Sequence, residues 1–277
     1  MIKGKTIITL LTDFGLDDEY VGVMKGVILS INPCSHVIDI THNISRHNVV
    51  HGAYTVDSYF RYFPSGSIHV CVIDPGVGGR RRVIALRCDG HIFLAPDNGL
   101  LSIVIEKGKV EELYNVVNEG YFLSPVSNTF HGRDIFAPVA AYISRGVPLD
   151  SFGERIDIDQ LKKLDIERPY ISEHGELIGV IISIDRFGNL ITNIDKSIFE
   201  GFLKSSGREV KVQIAGVTID GIKRSYDSVN RGKPLAIFGS RNLLEISVNK
   251  GSAREFFKVK TDERVKVVRD RLRNGTE

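Results

Sequence analysis

The sequence predicts an α/β protein with an N-terminal, Rossmann-like, mostly parallel sheet domain and a small C-terminal β-barrel domain. Two observations support this prediction. In the first half of the chain, short β-branched runs alternate with longer helical patterns, which is typical of βαβ units and a parallel sheet. In the second half, helical patterns nearly disappear, and short apolar runs are separated by Gly, Asn or Ser turns. That pattern indicates a small barrel.

The elements of the first half follow its hydrophobic periodicity. Short β-branched runs predict strands, and the longer stretches between them predict helices. Two runs joined by Cys88-Asp89-Gly90 predict a β-hairpin, and the polar loop over residues 129–133 opens a further helix. In chain order the predicted elements are a strand over 6–12, a helix over 18–32, a strand over 37–40, a helix over 49–63, a strand over 67–73, a hairpin of strands 83–87 and 91–95, and a helix over 134–144.

A domain boundary is predicted where the periodicity fails. Residues 150–169 are charged and poorly periodic, so we expect an N-terminal α/β catalytic domain over 1–165 and a β-barrel domain over 170–277. The predicted strands of the second domain are 176–185, 209–215, 217–220, 235–238, 244–248 and 265–269.

Composition limits the classes of partner. The chain has 277 residues, of which 42% are apolar and 25% charged, so it is long enough to bury the cores of two domains. Its 36 Lys and Arg nearly balance 34 Asp and Glu, and the net charge of +2 creates no field that would attract nucleic acid. We therefore expect no nucleic-acid partner.

Cysteine usage and the N-terminal segment predict a cytoplasmic protein. Cys34, Cys71 and Cys88 are odd in number and lack CxxC spacing, which favours free thiols in a reducing compartment. The apolar run over residues 7–11 is too short for a secretory signal or a membrane span. We expect no membrane association.

Three loops that follow predicted strands or open a helix are rich in charged residues and glycine. They cover residues 12–18, 74–82 and 130–134. In a doubly wound sheet, ligands bind beyond the carboxyl ends of the strands, so the fold should bring these loops together. Their glycines allow a ligand to approach the backbone. The combination predicts an active site in the N-terminal domain.

Each residue of these loops also has a structural explanation when it is considered alone. Asp17 and Asp18 suit the N-terminus of a helix, where acidic side chains are favoured by the helix dipole. The segment 74–76 suits a plain turn, and the arginines of 80–82 suit a solvated charge run. His131 alone would more often be structural. Only their expected proximity favours a functional interpretation.

Asp13 is a candidate for binding a ribose, because a carboxylate at the end of the first strand is suited to hydrogen bonding with a diol. The glycines of residues 76–79 do not form a phosphate loop, since no Lys-Ser/Thr pair follows them. Residues 13–18 resemble the calcium motif Asp-Thr-Asp-x-Gly-x-Asp-Asp of nucleoside hydrolases, a competing interpretation. Leu11 replaces the first aspartate of that motif, and no zinc spacing is present, so we predict no metal and no cofactor.

Five motifs give the chain its resemblance to a known family. In this sequence they are Leu11-Thr12-Asp13-Phe14-Gly15, Asp74-Pro75-Gly76-Val77-Gly78, Ala95-Pro96-Asp97-Asn98-Gly99-Leu100, Thr129-Phe130-His131-Gly132-Arg133-Asp134 and Ile184-Asp185-Arg186-Phe187-Gly188-Asn189. With them the chain resembles, over nearly its whole length, the S-adenosylmethionine (SAM) hydroxide adenosyltransferases. These enzymes are also called SAM hydrolases and are relatives of fluorinase and chlorinase. The resemblance implies hydrolysis of SAM to adenosine and methionine by attack of water or hydroxide on the ribose C5′.

The resemblance also implies site residues and an assembly. A catalytic Asp-Arg-His set falls on Asp74, Arg81 and His131, with Arg80 and Arg82 left open as alternatives to Arg81. It implies a homotrimer, in which each site lies between the sheet domain of one subunit and the β-domain of its neighbour. The substrate contacts that it implies are Asp13, Asp17, Phe130, Asp185, Phe187, Asn189, Tyr226, Ser240 and Arg241, of which Asp17 and Arg241 hold the methionine end.

A physical hypothesis accompanies these roles. A sulfonium needs no acid to leave, so the enzyme must supply an oriented nucleophile. In this hypothesis Asp74 orients and polarises His131, while Arg81 holds the nucleophilic oxygen or raises its hydroxide character. Halogenating relatives carry a longer loop in the first domain and lack the Asp-Arg-His combination, whereas Arg87 to His91 is a tight hairpin here. A metal-dependent nucleoside hydrolase and a non-catalytic SAM-binding or adenosine-binding module remain as alternatives.

Overall fold

A computed structural model of the chain describes residues 6–204 and 209–269. The chain divides into two compact units between Asp165 and Ile166. None of the helices in the described residues has the length and apolar character needed to cross a membrane.

The first unit is built on one seven-stranded sheet. Its strands are β1 (Ile7–Thr12), β2 (His36–Thr41), β3 (Ile68–Val72), β4 (Val83–Cys88), β5 (His91–Pro96), β6 (Val110–Val116) and β7 (Gly153–Arg155). Its α-helices are α1 (Tyr20–Ile31), α2 (Val49–Tyr59), α3 (Ser102–Lys107) and α4 (Ala137–Ser144), and a π-helical turn over Gly132–Phe136 leads directly into α4.

The strand order is β2-β1-β3-β5-β4-β6-β7. Strands β2, β1, β3 and β5 are mutually parallel, whereas β4, β6 and β7 pair antiparallel with their neighbours. Thr12 at the end of β1 lies opposite Val72 at the end of β3, so the loops that carry Asp13 and Asp74 leave the same edge of the sheet side by side. The predicted mostly parallel sheet and the 83–95 hairpin are confirmed.

Two apolar layers cover this sheet. Leu10 of β1 packs with α1 and α4 on one face, and the next residue, Leu11, packs with α2 and α3 on the other. Successive side chains of a strand point to opposite faces, so a strand covered on both sides is apolar throughout. Met24 and Phe136 are fully buried in the first layer. Full burial of one such side chain stabilises the fold by about 1.5–3 kcal/mol.

The structure corrects several element boundaries. Helix α1 begins at Tyr20, two residues after the predicted start, and α2 ends at Tyr59, where a 3₁₀ turn over Phe60–Tyr62 continues it. Helix α3 and strand β6 were not predicted. Strand β6 has the sequence VEELYNV and is only partly buried, with Glu111 exposed. Its polar residues obscure the alternation of apolar and polar side chains that identifies a strand. Helix α3 has only six residues and no side-chain cap, so its local signal is weak.

The second unit is a nine-stranded sheet with two helices. Its strands are β8 (Tyr170–Ile171), β9 (Leu177–Ile184), β10 (Leu190–Asp195), β11 (Val210–Ile214), β12 (Val217–Asp220), β13 (Ile222–Lys223), β14 (Pro234–Phe238), β15 (Leu243–Val248) and β16 (Arg264–Arg269), and its helices are α5 (Lys196–Lys204) and α6 (Ala253–Phe257). The order is β12-β11-β16-β9-β10-β15-β14-β13, with β8 beside β9. Strand β12 also contacts β14, which makes the sheet a nearly closed barrel, as predicted.

Strand β10 lies at the centre of the second unit and was not predicted. It contains Thr192 and Asn193, which are buried and which made the segment look like a turn. The Asn193 side chain accepts a hydrogen bond from the Val180 amide at 2.9 Å and donates to the Glu167 carbonyl at 2.7 Å. A buried amide is tolerated in a strand when its hydrogen bonds are made. Helices α5 and α6 were also missed.

Candidate active site

Asp74, Arg81 and His131 form one connected cluster at the carboxyl edge of the first sheet. Arg81 donates from Nε to Asp74 Oδ2 at 2.8 Å, and its Nη2 reaches both the same carboxylate and His131 Nδ1, the latter at 2.7 Å. The side chains of Asp74 and Arg81 are only 4% and 11% exposed. Screening by water is therefore weak, and the charge-assisted contacts should be strong.

A close approach of two loops creates this cluster. Gly78 has a positive φ of +74°, and a Cβ built on it would lie 2.1 Å from the Asn128 carbonyl oxygen. Only glycine can therefore bring the loop after β3 this close to residues 127–131. His131 stands immediately before the π-helical turn. Single π turns inside helices are frequent at functional sites.

A buried carboxylate holds the loop that carries His131. Asp134 is 1% exposed, accepts the Ser127 amide at 2.8 Å and pairs with Arg133 at 2.6 Å. These bonds join the start of the loop to the helix that follows it. The His131 backbone is thereby fixed between two anchored points.

The contacts of His131 determine its protonation state. Guanidinium groups only donate hydrogen bonds, so Nδ1 accepts from Arg81 and the hydrogen of the neutral ring is on Nε2. Burial, followed by the neighbouring Arg81 charge, lowers the pKa of His131 below its ordinary 6.5. The ring is therefore neutral at pH 7, with Nε2–H as a donor.

This arrangement changes one part of the sequence-based hypothesis. Asp74 was expected to orient and polarise His131 directly, but Arg81 lies between them and contacts both. The basic side chain occupies the position because its fork can reach a carboxylate and an imidazole nitrogen together. Asp74 therefore orients Arg81, and Arg81 orients His131.

Asp74 keeps one unused oxygen. Its Oδ1 is buried, and no described residue donates a hydrogen bond to it. A buried carboxylate oxygen without a donor costs about 1–3 kcal/mol or more. Such a cost is common where a ligand or a water molecule completes the hydrogen bonding, so Oδ1 is a ready acceptor for a bound hydroxyl group or water.

The three adjacent arginines have different environments, which separates the alternatives left open by the sequence. Arg80 is exposed. Arg82 donates to the Gln160 carbonyl at 2.9 Å and lies 3.7 Å from Asp97. Only Arg81 contacts Asp74 and His131.

Asp13 lines a cavity of 230 Å³ together with both ends of the cluster, Asp74 and His131. Its Oδ2 accepts the backbone amide of His47 at 2.8 Å, and His47 has a positive φ of 61°. The other lining residues are Phe14, Arg46, His47, Val72, Val77, Thr129, Phe130 and Gly132. Arg46 and His47 were missed by the sequence analysis. They follow β2 at the same edge of the sheet, so the rule that found the other loops could have found them.

Phe130 and Asp17 have different relations to this cavity. Phe130 lines it and packs edge-to-face against Phe14 and Tyr20, with ring centroids 6.1 and 5.0 Å apart. Asp17 is exposed and is not among the lining residues. The first unit by itself therefore does not bring Asp17 to the cavity.

The second unit has a larger cavity of 770 Å³. All of the remaining predicted substrate contacts line it, namely Asp185, Phe187, Asn189, Tyr226, Ser240 and Arg241. Asp185 accepts the amides of Phe187 and Asn189 at 2.8 and 2.9 Å, and the Asn189 side chain donates to its other oxygen at 2.9 Å. The loop between β9 and β10 is thus a compact turn that leaves Phe187 77% exposed.

Glu245 was not predicted, although it lies in the same cavity. It is 6% exposed, and its Oε1 accepts from Tyr226 Oη at 2.7 Å and from Ser247 Oγ at 2.8 Å. Burial, together with the hydrogen bond and charge of Glu245, raises the pKa of Tyr226 to about 12. An acid in the middle of the apolar run LLEISV was the available signal.

Family models match both units. The SAM hydroxide adenosyltransferase N-terminal domain matches residues 8–153, and the C-terminal domain of the same family matches residues 179–266. The chain belongs to the SAM hydroxide adenosyltransferase family. The N-terminal match contains Asp13 and the Asp74–Arg81–His131 cluster, and the C-terminal match contains the lining residues of the 770 Å³ cavity.

Named relatives and a solved structure agree with this family. An "(R)-S-adenosyl-L-methionine hydrolase" of Methanocaldococcus jannaschii is 42% identical over 69% of this chain and 67% of its own length. A protein of the same name from Thermus thermophilus is 33% identical over 88% and 92%. A fluorinase of an Actinoplanes species is 29% identical over 89% and 92%. The crystal structure of an uncharacterized conserved protein from Thermotoga maritima covers 95% of this chain and all of its own, with 35% identity and a TM-score of 0.87.

The described residues contain no group of three or more His, Cys, Asp or Glu side chains that could hold a metal ion. In the loop after β1, the Asp13 carboxylate accepts a hydrogen bond from the backbone amide of His47.

Proposed function

We propose that this protein hydrolyses SAM to adenosine and methionine by attack of water on the ribose C5′. The observation that carries the proposal is the buried Arg81 guanidinium held between the Asp74 carboxylate and the neutral His131 ring. Asp74 and His131 line a cavity that Asp13 also lines, where Asp13 is available to bind a ribose. Relatives 42% and 33% identical to this chain are named SAM hydrolases, which supports the same reaction here.

The reaction places its demand on the nucleophile. A bond forms between the water oxygen and C5′ while the C5′–S bond breaks, and sulfur takes the electron pair. Methionine leaves as a neutral thioether, so the leaving group needs no acid. One of the two protons of the attacking water must be removed to give the 5′-hydroxyl. Correct positioning of water for in-line attack, together with proton removal by a general base, accelerates the reaction by about 10²- to 10⁴-fold or more.

The cluster provides groups that position the water and remove its proton. Asp74 Oδ1 accepts a hydrogen bond from the water and is the acceptor for its proton. Arg81 places a positive charge beside the water oxygen, which favours hydroxide character, and His131 Nε2–H donates to a lone pair and directs the other toward C5′. These roles use only the side chains of this chain, and we propose no metal or cofactor.

We further propose that each active site is shared between subunits of a homotrimer. The contacts assigned to one small ligand fall in two separate compact units, with Asp13 in the first and Asn189 and Arg241 in the second. A ring of head-to-tail contacts accounts for this division, because each subunit then offers one half-site on each of two surfaces. Asp17, which is outside the cavity of its own unit, is assigned to the methionine end of a site completed in this way.

The cytoplasm is the compartment that we propose for this reaction. Cys34, Cys71 and Cys88 are all free thiols, with Cys71 and Cys88 buried in the first unit. Free cysteines are typical of reducing compartments. The near-neutral charge balance supports the absence of a nucleic-acid partner.

Product analysis tests the proposed reaction. After incubation with SAM in water labelled with the heavy oxygen isotope, we expect adenosine and methionine in equal amounts, with the label in the 5′-hydroxyl of adenosine. The label distinguishes attack at C5′ from other routes to adenosine. Chromatography with mass detection measures both products, and free adenine or unlabelled adenosine would contradict the proposal.

The same incubation, with other substrates or additives, tests the alternative functions. A nucleoside hydrolase would release the base from inosine or uridine and lose activity in EDTA, whereas we expect SAM hydrolysis to continue unchanged in EDTA. A SAM-binding module would bind SAM without forming products. A halogenating enzyme would form 5′-halogenated nucleoside when fluoride or chloride is added, and we expect none.

The protonation state of His131 predicts the acid limb of the pH profile. Because its pKa is lowered from 6.5, the ring stays neutral as the pH falls through that value. We expect kcat/KM to stay level from about pH 7 to 6.5 and to decline only at lower pH, where the protonated ring no longer accepts from Arg81. The carboxyl and amino groups of SAM titrate outside about pH 5 to 6.5, so the substrate does not obscure this limb. The decline should disappear from the residual activity of His131→Gln; a decline that starts above pH 6.5 would contradict the assignment.

A further inference from the structure

A chain of polar contacts, buried at Thr12 and His42, leads to the loop that carries Asp13. Thr12 at the end of β1 is fully buried, and its Oγ1 lies 2.8 Å from Nδ1 of His42, which is 2% exposed. His42 Nε2 lies 3.1 Å from Asp39 Oδ1 but outside hydrogen-bond geometry, and Asp39 Oδ2 accepts from Lys25 Nζ at 2.6 Å. The chain therefore runs from a surface ion pair to the end of the first strand.

The direction of the Thr12–His42 hydrogen bond follows from the neighbours of the ring. Nε2 faces the Asp39 carboxylate, which favours the tautomer with the ring hydrogen on Nε2. Nδ1 is then an acceptor, and the Thr12 hydroxyl donates to it. That leaves the lone pairs of Thr12 Oγ1 to accept the amide of Phe14 at 3.3 Å.

His42 thus holds the loop on both sides of Asp13. Through Thr12 it fixes the residue before Asp13 and the amide of Phe14 after it. Its own backbone carbonyl accepts the amide of Gly15 at 2.8 Å. Among the described residues, the Asp13 carboxylate itself accepts one hydrogen bond, from the His47 amide. The backbone on both sides of Asp13, from which its carboxylate projects, therefore depends on bonds that converge on His42.

We infer that His42, acting through Thr12, is a positioning residue that aims Asp13 at the ribose diol of the substrate. The inference rests on the proposed function, in which Asp13 binds the 2′- and 3′-hydroxyls. A carboxylate recognises a diol only within a narrow range of direction, since both hydroxyls must reach its oxygens. Loss of the Thr12–His42 bond should therefore reduce discrimination for the ribose and leave the Asp74–Arg81–His131 cluster intact.

The succession Asp39, His42 and Thr12 resembles a catalytic triad in composition, but its place in the fold excludes a nucleophilic role. Thr12 Oγ1 belongs to a fully buried residue, and neither Thr12 nor His42 is among the lining residues of the 230 Å³ cavity. A nucleophile must reach within about 3–3.5 Å of the reacting atom. The chain acts on the geometry of the loop.

The matched pair Thr12→Val and Thr12→Ser tests the inference. Valine keeps the shape and removes the hydroxyl, whereas serine keeps the hydroxyl. The measurement is the ratio of dissociation constants for 2′-deoxyadenosine and adenosine. We expect Thr12→Ser to keep the wild-type ratio and Thr12→Val to lower it by about tenfold, the size of one charge-assisted hydrogen bond. With SAM, kcat at saturation should stay within about threefold of wild type, because the cluster is untouched.

The chain contains a close structural control. Thr9, in the same strand and also fully buried, has its Oγ1 2.8 Å from Nδ1 of His69 and 3.2 Å from Tyr59 Oη, and neither partner belongs to the Asp13 loop. Thr9→Val should cost a similar amount of stability and leave the deoxy-to-ribo ratio unchanged. If Thr12→Val does not fold, His42→Asn, which retains a polar group near the position of Nδ1, and His42→Leu replace the pair, with the ratio lowered only in His42→Leu.

The outcomes separate the inference from the proposed function. A folded Thr12→Val that keeps the wild-type ratio, or a Thr9→Val that lowers it equally, overturns the role of His42. In an Asp13→Ala background, Thr12→Val should have no further effect on the ratio, because the group that it positions is gone. If wild-type protein does not distinguish the two nucleosides, the assignment of Asp13 to the ribose fails instead.

Discussion

Replacement of Arg81 by glutamine is expected to lower kcat for SAM hydrolysis by about 10²- to 10⁴-fold, while adenosine binding changes by less than about threefold. Arg81 is the only described residue that contacts both Asp74 and His131. Glutamine has no positive charge, and its shorter side chain ends in one NH2 group in place of the guanidinium fork that reaches both partners. The buried Asp74 carboxylate then loses its counter-charge, and His131 loses the donor that fixes its tautomer.

Arg80→Gln is the matched control for this experiment. The residue is adjacent, the substitution is identical, and Arg80 is exposed and takes no part in the hydrogen bonds that join Asp74, Arg81 and His131. We expect its kcat to remain within about threefold of wild type, because exposed charges contribute little. Steady-state kinetics and calorimetric adenosine binding measure both variants. Equal losses in the two variants, or full activity in Arg81→Gln, would remove Arg81 from the mechanism.

Mixing two inactive variants is expected to restore about one quarter of wild-type activity if sites are shared in a ring. His131→Ala damages the first unit, and Asn189→Ala damages the second. In a one-to-one random trimer, a site is intact only when its first half comes from an Asn189→Ala chain and its second half from a His131→Ala chain. Each condition is met half of the time, so about one site in four is intact.

A mixture of His131→Ala with Asp74→Ala is the control, because both changes lie in the first unit. Every site then contains a damaged first half, and no activity should return. The chains are unfolded and refolded together, and mass spectrometry of differently tagged chains verifies that mixed oligomers formed. Light scattering should give the mass of a trimer. Mixed oligomers without restored activity would contradict the shared site.

The fold could be predicted from the sequence where local pattern and tertiary environment agree. The sequences of β1 and β3 are largely apolar because both faces of these strands are covered, so their pattern identifies buried parallel strands in spite of Thr9 and His69. Strand β10 could not be predicted in this way, because the hydrogen bonds that satisfy its buried Asn193 are made with residues 13 and 26 positions away. No local window contains that information.

The residue types of the candidate site were predicted from the sequence, but the hydrogen bonds between them were predicted only in part. The loops with Asp74 and His131 were identified because they follow a strand or open a helix in a doubly wound sheet. Spacing alone left three arginines open, and contacts within the fold separate Arg81 from its neighbours. His42 was missed because its importance lies in a buried hydrogen bond to Thr12, and sequence does not reveal a partner 30 positions away.

The sequence by itself determined the two-domain α/β organisation, the loops that carry the chemistry and the family whose motifs they match. These features are encoded in short windows, through hydrophobic period, glycine turns and the order of residues within each motif. The tertiary structure decided that Arg81 lies between Asp74 and His131, that the His131 ring is neutral with its hydrogen on Nε2, and that Asp74 keeps an oxygen without a donor. Protonation and hydrogen bonding depend on burial and on distances between loops that are far apart in the chain, and only the folded chain fixes those distances.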